Sequence, residues 1–197
     1  ERPLVIRGLA RDWPLVRARL ADAEFVARLA AFDSGTPVDA LVMPPDEDGV
    51  IGYNANFDGF NYERHRVSIG KGLQRLLDLA RHERVPGIAM QSAVIAKCLP
   101  GFLAEHTLPF LDAGVEPRIW IGNASVIACH YDSFENLACV AAGRRRFTLF
   151  PPDAIGDLYV GPIDHTMAGQ PVGLAVGSEP GDLRYPRFEA ARGRAVT

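Results

Sequence analysis

Apolar positions recur with a helical period in two places along the chain. Phe25, Val26, Leu29 and Ala30 share one face of a helix starting near Asp22, which can cap it, with Gly35 as the stop. Leu73, Leu76, Leu77 and Ala80 follow the i, i+3, i+4, i+7 spacing within KGLQRLLDLARHER at 71–84, the clearest helix in the sequence. A shorter helix is expected over 101–113, after Pro100. Near the N-terminus PLVIRGL at 3–9 reads as a short buried strand closed by Gly8, with DWP turning after it. Residues 43–62 are rich in Pro, Gly, Asp and Asn but carry aromatics at 53, 57, 60 and 62, which suggests turns and a short hairpin whose rings are buried. From Arg118 the texture changes: WIGNASVIACHYD, NLACV and RFTLF are short β-branched and aromatic segments separated by small polar residues. Helices first and strands later point to an α+β fold, with helices packed on an antiparallel sheet or barrel, in one domain spanning 1–197: a helical or mixed part to 115 and a β-rich part from 116.

Composition narrows the function classes. With 48% hydrophobic and 23% charged residues over 197 positions, the chain can bury a core of ordinary globular type. A formal charge of −3 gives no electrostatic footprint for nucleic acid or anionic membrane, and RRR at 144–146 is the only dense basic run. No apolar run approaches a membrane span, and no signal peptide precedes the fold. Cys98, Cys129 and Cys139 have no CxxC spacing, so small buried thiols in a reducing cytoplasm are expected rather than disulfides or a zinc site.

The chemistry-bearing stretch is HYDSFENLACVAAGRRRFTLFPP at 130–152. Side chains alternate along a strand, so His130 and Asp132 share a face, an imidazole beside a carboxylate. Two thirds of a 2-His-1-carboxylate iron site look like this, although a polar pair ending a strand has the same spacing. Arg145 shares a face with Phe147 and Leu149 if 144–150 is a strand. A guanidinium facing the interior there requires an anion, either a carboxylate ligand or a structural Asp or Glu. Asn136 can add its amide to the same pocket or close a turn on its own backbone.

WIGN at 120–123, HYD at 130–132, Asn136, the GRRRF run and LFPP at 149–152 together resemble the cupin-like, JmjC-related Fe(II)/2-oxoglutarate oxygenases. That group includes the asparaginyl hydroxylase acting on hypoxia-inducible factor. IRGLARDWP, YNANFDGFNY, LYVGPIDHTMAGQPV and YPRF are similar to bacterial members, so the resemblance covers nearly the whole chain. It implies a double-stranded β-helix behind N-terminal helices, with His130 and Asp132 as two Fe(II) ligands. Arg145 would meet the far carboxylate of 2-oxoglutarate, and Asn136 would line the pocket. The implied reaction hydroxylates a C–H bond or removes a methyl group from an unassigned substrate: protein, tRNA or small molecule. Relatives often dimerise through C-terminal helices.

The family pattern also calls for a second histidine late in the chain, after a G-D-x-x-x-x-P turn. EPGDLRYP at 179–186 superficially matches such a turn, but RFEAARGRAVT follows it with no histidine, so the barrel is expected to be incomplete at its C-terminal side. His165, in the turn-rich GPIDHTMAG, is expected at the surface rather than as a ligand; His65, His82 and His106 fall in the helical half, with His82 solvated. Three functions stay open on this reading. The chain is an oxygenase, a cupin-like module that binds a carboxylate or protein without turnover, or a metal-dependent cupin of another kind.

Overall fold

The computed structural model describes residues 3–19, 21–112, 114–175 and 177–197. Its centre is a four-stranded antiparallel sheet in the order β3-β1-β4-β5, formed by β1 (Val38–Met43), β3 (Glu63–Val67), β4 (Gly87–Val94) and β5 (Arg118–Gly122). A parallel pair, β2 (Val50–Ile51) with β6 (Val126–Ile127), lies apart from it. Three of the four principal strands therefore precede residue 95, whereas the change of texture at Arg118 placed the β part after them. β1 and β4 escaped the periodicity because both faces of the sheet are covered where they run. VDALVM and GIAMQSAV are near-continuous apolar runs without alternation.

One face of the sheet carries the helices. Val38, Ala40, Met90 and Ala93 pack with Leu15 of α1 (Pro14–Ala18), Leu29 of α2 (Asp22–Ala30), and Ile69 and Leu73 of α3 (Ile69–Leu79). Phe25, Val26 and Ala30 join this core as their spacing predicted. Two boundary expectations need correction. Ala21, not Asp22, is the N-cap of α2, so Asp22 lies in the first turn, where its charge favours the helix dipole. The helix closes at Ala31, well before Gly35. α3 starts two residues before the predicted 71, because the Ser68 hydroxyl accepts the Lys71 N–H at 3.4 Å. It stops before the polar RHER, leaving His82 exposed. Of the helix expected over 101–113, only α5 (Phe102–Glu105) forms, following the short α4 (Ile95–Cys98); residue 113 lies outside the described residues.

PLVIRGL at 3–9 is not a strand. Leu4 and Val5 are 80% and 76% exposed, and no ladder partner fixes them. Residues 53–60 form the expected small hairpin, with Tyr53 bridged to Phe60; the rings at 53, 60 and 62 are half-buried and Phe57 is exposed.

The second face of the sheet leads to the site. Leu41, Met43 and Ala89 on this face meet Ile51 of β2, and Tyr62, Ile127 and Met167 close around them. WIGN has a mechanical role in bringing these parts together. A Cβ on Gly122 would collide with the Ile88 carbonyl oxygen, so β5 can cross β4 only without a side chain there. Asn123 then clips the strand ends, accepting the Ile88 N–H at 2.7 Å and donating to the Pro86 carbonyl at 2.9 Å. Three residues later β6 pairs with β2, and the chain runs on to His130.

Candidate metal centre and its surroundings

The imidazole of His130 is held from behind. Its Nδ1 lies 2.7 Å from the Ala128 carbonyl oxygen, which can only accept, so Nδ1 carries the proton and donates it. Nε2 has no hydrogen-bond partner among the described residues and stands 3.9 Å from Asp132 Oδ1; in the neutral ring it carries the lone pair. This is how metal-binding histidines are commonly oriented: one ring nitrogen fixed by a carbonyl, the other open. The backbone just before it is anchored as well. Ala128 is buried, and the Cys129 carbonyl accepts the Gly173 N–H at 2.7 Å.

Asp132 is positioned from the other direction. The Asn136 amide donates to its Oδ2 at 3.1 Å and to the Phe134 carbonyl at 3.1 Å, which leaves Oδ1 for the histidine side. Asn136 thus ties the Asp132 carboxylate to a backbone carbonyl of the same turn. The anchoring is unequal: the His130 side chain is 31% exposed and that of Asp132 52%.

The strands expected over NLACV and RFTLF are not formed. From 130 to 148 the chain is irregular, with bends at 133–134 and 142–143 and no ladder partner among the described residues, and Leu149 bridges Val196. The guanidinium of Arg145 sits 5.2 Å from the Phe147 ring centroid, so the two share a side as alternation predicts. That side is not an interior. Arg145 is exposed, and Phe147 and Leu149 are 46% and 44% exposed. The expectation that burial forces an anion onto Arg145 therefore has no support from its surroundings here.

Three of the four remaining histidines have other partners, and His82 is exposed. His165 is half-buried, with Nδ1 3.0 Å from Asp164 Oδ1, Nε2 2.8 Å from the Phe57 carbonyl and its ring edge-on to Tyr53, so it staples two loops. His106 is buried between Phe102 and Trp13. His65 pairs with Glu63 on an exposed strand. Among the described residues no three His, Cys, Asp or Glu side chains converge as a metal would require. An imidazole and a carboxylate stand side by side here, and no third such donor among the described residues joins them.

Two features beside the site had no sequence signal. The Ala128 carbonyl orients His130 through backbone geometry that no residue type announces. The Tyr62 hydroxyl is fully enclosed and makes no hydrogen bond of good geometry among the described residues; burial pushes its pKa up, partly offset by the nearby Arg64 guanidinium. The three thiols are unpaired cysteines, Cys98 buried and Cys129 and Cys139 half-buried, and burial raises the pKa of each. No helix among the described residues is long and apolar enough to cross a membrane.

The family model for a cupin-like domain matches residues 1–197. Over 88 residues, 43% of this chain, the sequence is 38% identical to lysine-specific demethylase JMJ31 of Arabidopsis thaliana. The matched part is 16% of that relative's length, so the chain spans a small fraction of it.

Proposed function

The chain belongs to the cupin-like domain family, and from that premise we propose that it is the metal-binding part of an Fe(II)/2-oxoglutarate-dependent oxygenase of the JmjC type. The observation that carries this reading is the contact of His130 Nδ1 with the Ala128 carbonyl. With Nδ1–H committed to Ala128, Nε2 is presented as a ligand beside the Asp132 carboxylate. The four-stranded sheet is read as one wall of a double-stranded β-helix, with β2 and β6 opening the opposite wall.

In this reading His130 Nε2 and Asp132 hold Fe(II), and Asn136 keeps the carboxylate turned toward it. Arg145 meets the distal carboxylate of 2-oxoglutarate by a bidentate pair, leaving its present position on Phe147. Bound Fe(II) and 2-oxoglutarate would supply oxidative decarboxylation coupled to hydroxylation or demethylation of a substrate C–H position. The substrate, whether protein, tRNA or small molecule, belongs to the proposal as a class still to be chosen. So does a cytoplasmic setting that keeps the three thiols reduced.

A second reading is favoured by the lack of a third convergent donor among the described residues: a cupin-like module that binds a carboxylate without turnover. Calorimetric titration separates the two. Mn(II), a redox-stable substitute for Fe(II), should bind the wild-type chain and not His130→Ala or Asp132→Ala. Binding of 2-oxoglutarate should require the metal and weaken in Arg145→Gln. Equal 2-oxoglutarate binding with and without metal would refute the oxygenase reading and support the module.

A further inference from the structure

At the end of the sheet where β1 begins and β3 and β4 end, a cavity of about 220 Å3 opens among Thr36, Asp39, Arg66, Gln91, Ser92 and Lys97. None of these residues takes part in the His130–Asp132 arrangement. Three independent features converge there.

The first is charge. Asp39 is the acid in the wall, and it is already shared by two guanidiniums: Arg66 Nε lies 3.5 Å from its Oδ1 and Arg64 Nη1 3.6 Å from its Oδ2. Arg66 spends one further donor on the Pro37 carbonyl at 2.7 Å, which fixes the guanidinium at the rim with donors to spare. Lys97, also in the wall, makes no ion pair among the described residues. Its backbone carbonyl, not its ammonium, is what Ser34 engages. Arg66 and Lys97 against the single acid Asp39, itself also paired with Arg64 from outside the cavity, leave the walls with an excess of positive charge, in a chain whose net charge is −3.

The second feature is backbone geometry. The β4–β5 register shifts between Met90 and Ala93, a bulge that brings Gln91 and Ser92 to the cavity wall. Ser92 is held there at φ +50°, a left-handed conformation that a non-glycine residue adopts only under strain. Arg118 holds the strained residue, donating to the Ser92 carbonyl at 3.1 Å and to its hydroxyl at 3.3 Å, and is itself paired with Glu116. The third feature is size. A cavity of about 220 Å3 is smaller than the usual range for drug-sized ligands, so it suits a small, compact molecule.

We propose that this cavity is a binding site for a small oxyanion, a phosphate or carboxylate group gripped between the Arg66 guanidinium and the Lys97 ammonium. The Gln91 carboxamide and the Thr36 hydroxyl are neutral hydrogen-bonding groups on the same walls. The site is separate from the proposed iron centre and does not depend on it.

The test is a titration of the isotope-labelled full chain, without metal, with inorganic phosphate in one arm and succinate in the other, followed by amide chemical shifts. Saturable one-to-one shifts confined to residues 36–39, 66 and 91–98 are expected, and the preferred arm identifies the oxyanion. Lys97→Gln should weaken binding about fivefold and Arg66→Gln about tenfold or more, with amide spectra otherwise unchanged. Arg145→Gln should leave it as in wild type. Added salt should weaken it as expected for exposed cations. If Arg66→Gln disturbs the fold, Lys97→Gln alone decides. No saturable shift in either arm would overturn the proposal, as would shifts centred on 144–146 or affinity unchanged in Lys97→Gln.

Discussion

Replacing His106 with alanine should destabilise the protein more than altering any other histidine. The ring is 2% exposed, and its two nitrogens have complementary work. Nδ1–H donates to the Phe102 carbonyl at 2.8 Å, and Nε2 accepts the Leu15 N–H at 3.2 Å. It is stacked on Phe102 with centroids 3.9 Å apart and meets Trp13 edge-on at 5.6 Å. Truncation leaves the Leu15 N–H without an acceptor beside a side chain that is 1% exposed, at a cost of about 1–3 kcal/mol. Losing the aromatic contacts adds about 0.5–1.5 kcal/mol, and the cavity adds more. The sum is about 3–4 kcal/mol, a large share of the roughly 5–15 kcal/mol that holds a domain folded. In a chain of this length it lowers Tm by about 10 °C. Urea denaturation followed by circular dichroism measures it, and His106→Gln, which can still donate and accept, should recover about half. A loss below about 0.5 kcal/mol for His106→Ala with an unchanged denaturant slope would show that α1 is not held on α5 by this ring.

Tyr62→Phe removes an enclosed hydroxyl with no well-aligned partner among the described residues, so stability should stay level or rise by up to about 1 kcal/mol; a clear loss in the same denaturation assay would mean that the nearby Arg64 guanidinium serves the hydroxyl in solution. Gly122→Ala forces a Cβ against the Ile88 carbonyl and should cost about 2 kcal/mol or more, detected as lower yield and Tm. All three thiols should react slowly with iodoacetamide at neutral pH, because burial raises their pKa and thins the thiolate, and rates should climb as pH rises. Fast alkylation of Cys129 near pH 7 would contradict its placement. With added Fe(II) and ascorbate this chain should release little succinate from 2-oxoglutarate, since two protein donors hold the metal loosely; release abolished by His130→Ala would indicate a third donor from elsewhere, and His165→Ala would be the next variant.

What could be read from the residues depended on how each element is buried. α2 and α3 are amphipathic, one face on the sheet and one in water, so their spacing announced them. β1 and β4 sit between two layers and lost the alternation that marks a strand. PLVIRGL has strand-like composition, but strand composition without a ladder partner leaves Leu4 and Val5 in water. RFTLF shows the same limit at the site. Alternation correctly put Arg145 and Phe147 on one side, yet whether that side is an interior depends on chain packing far away in sequence. The pairing of His130 with Asp132 was legible because it is local. The carbonyl of Ala128 that selects the tautomer was not, since every residue has one.

The inequality between the two donors says where this site is built and where it is not. Everything upstream of His130 is tied down: β6 on β2, Ile127 against Met43 and Ile51, and the Cys129 carbonyl on Gly173. The segment 131–148 makes no ladder pairing among the described residues, and Tyr131, Phe134, Leu137 and Val140 are 45–86% exposed. Oxidative chemistry needs a first ligand that does not rotate and a cavity that excludes water. The packed half of the sheet meets the first need through the imidazole. The second need falls to whatever covers the segment from 131 to 148, because that is the side on which Asp132 and Arg145 are open. On the proposed reading, binding and turnover are therefore separable. Binding starts from the Ala128–His130 contact and still needs a third donor and a repositioned Arg145, and turnover needs in addition the closing of the apolar surface left exposed.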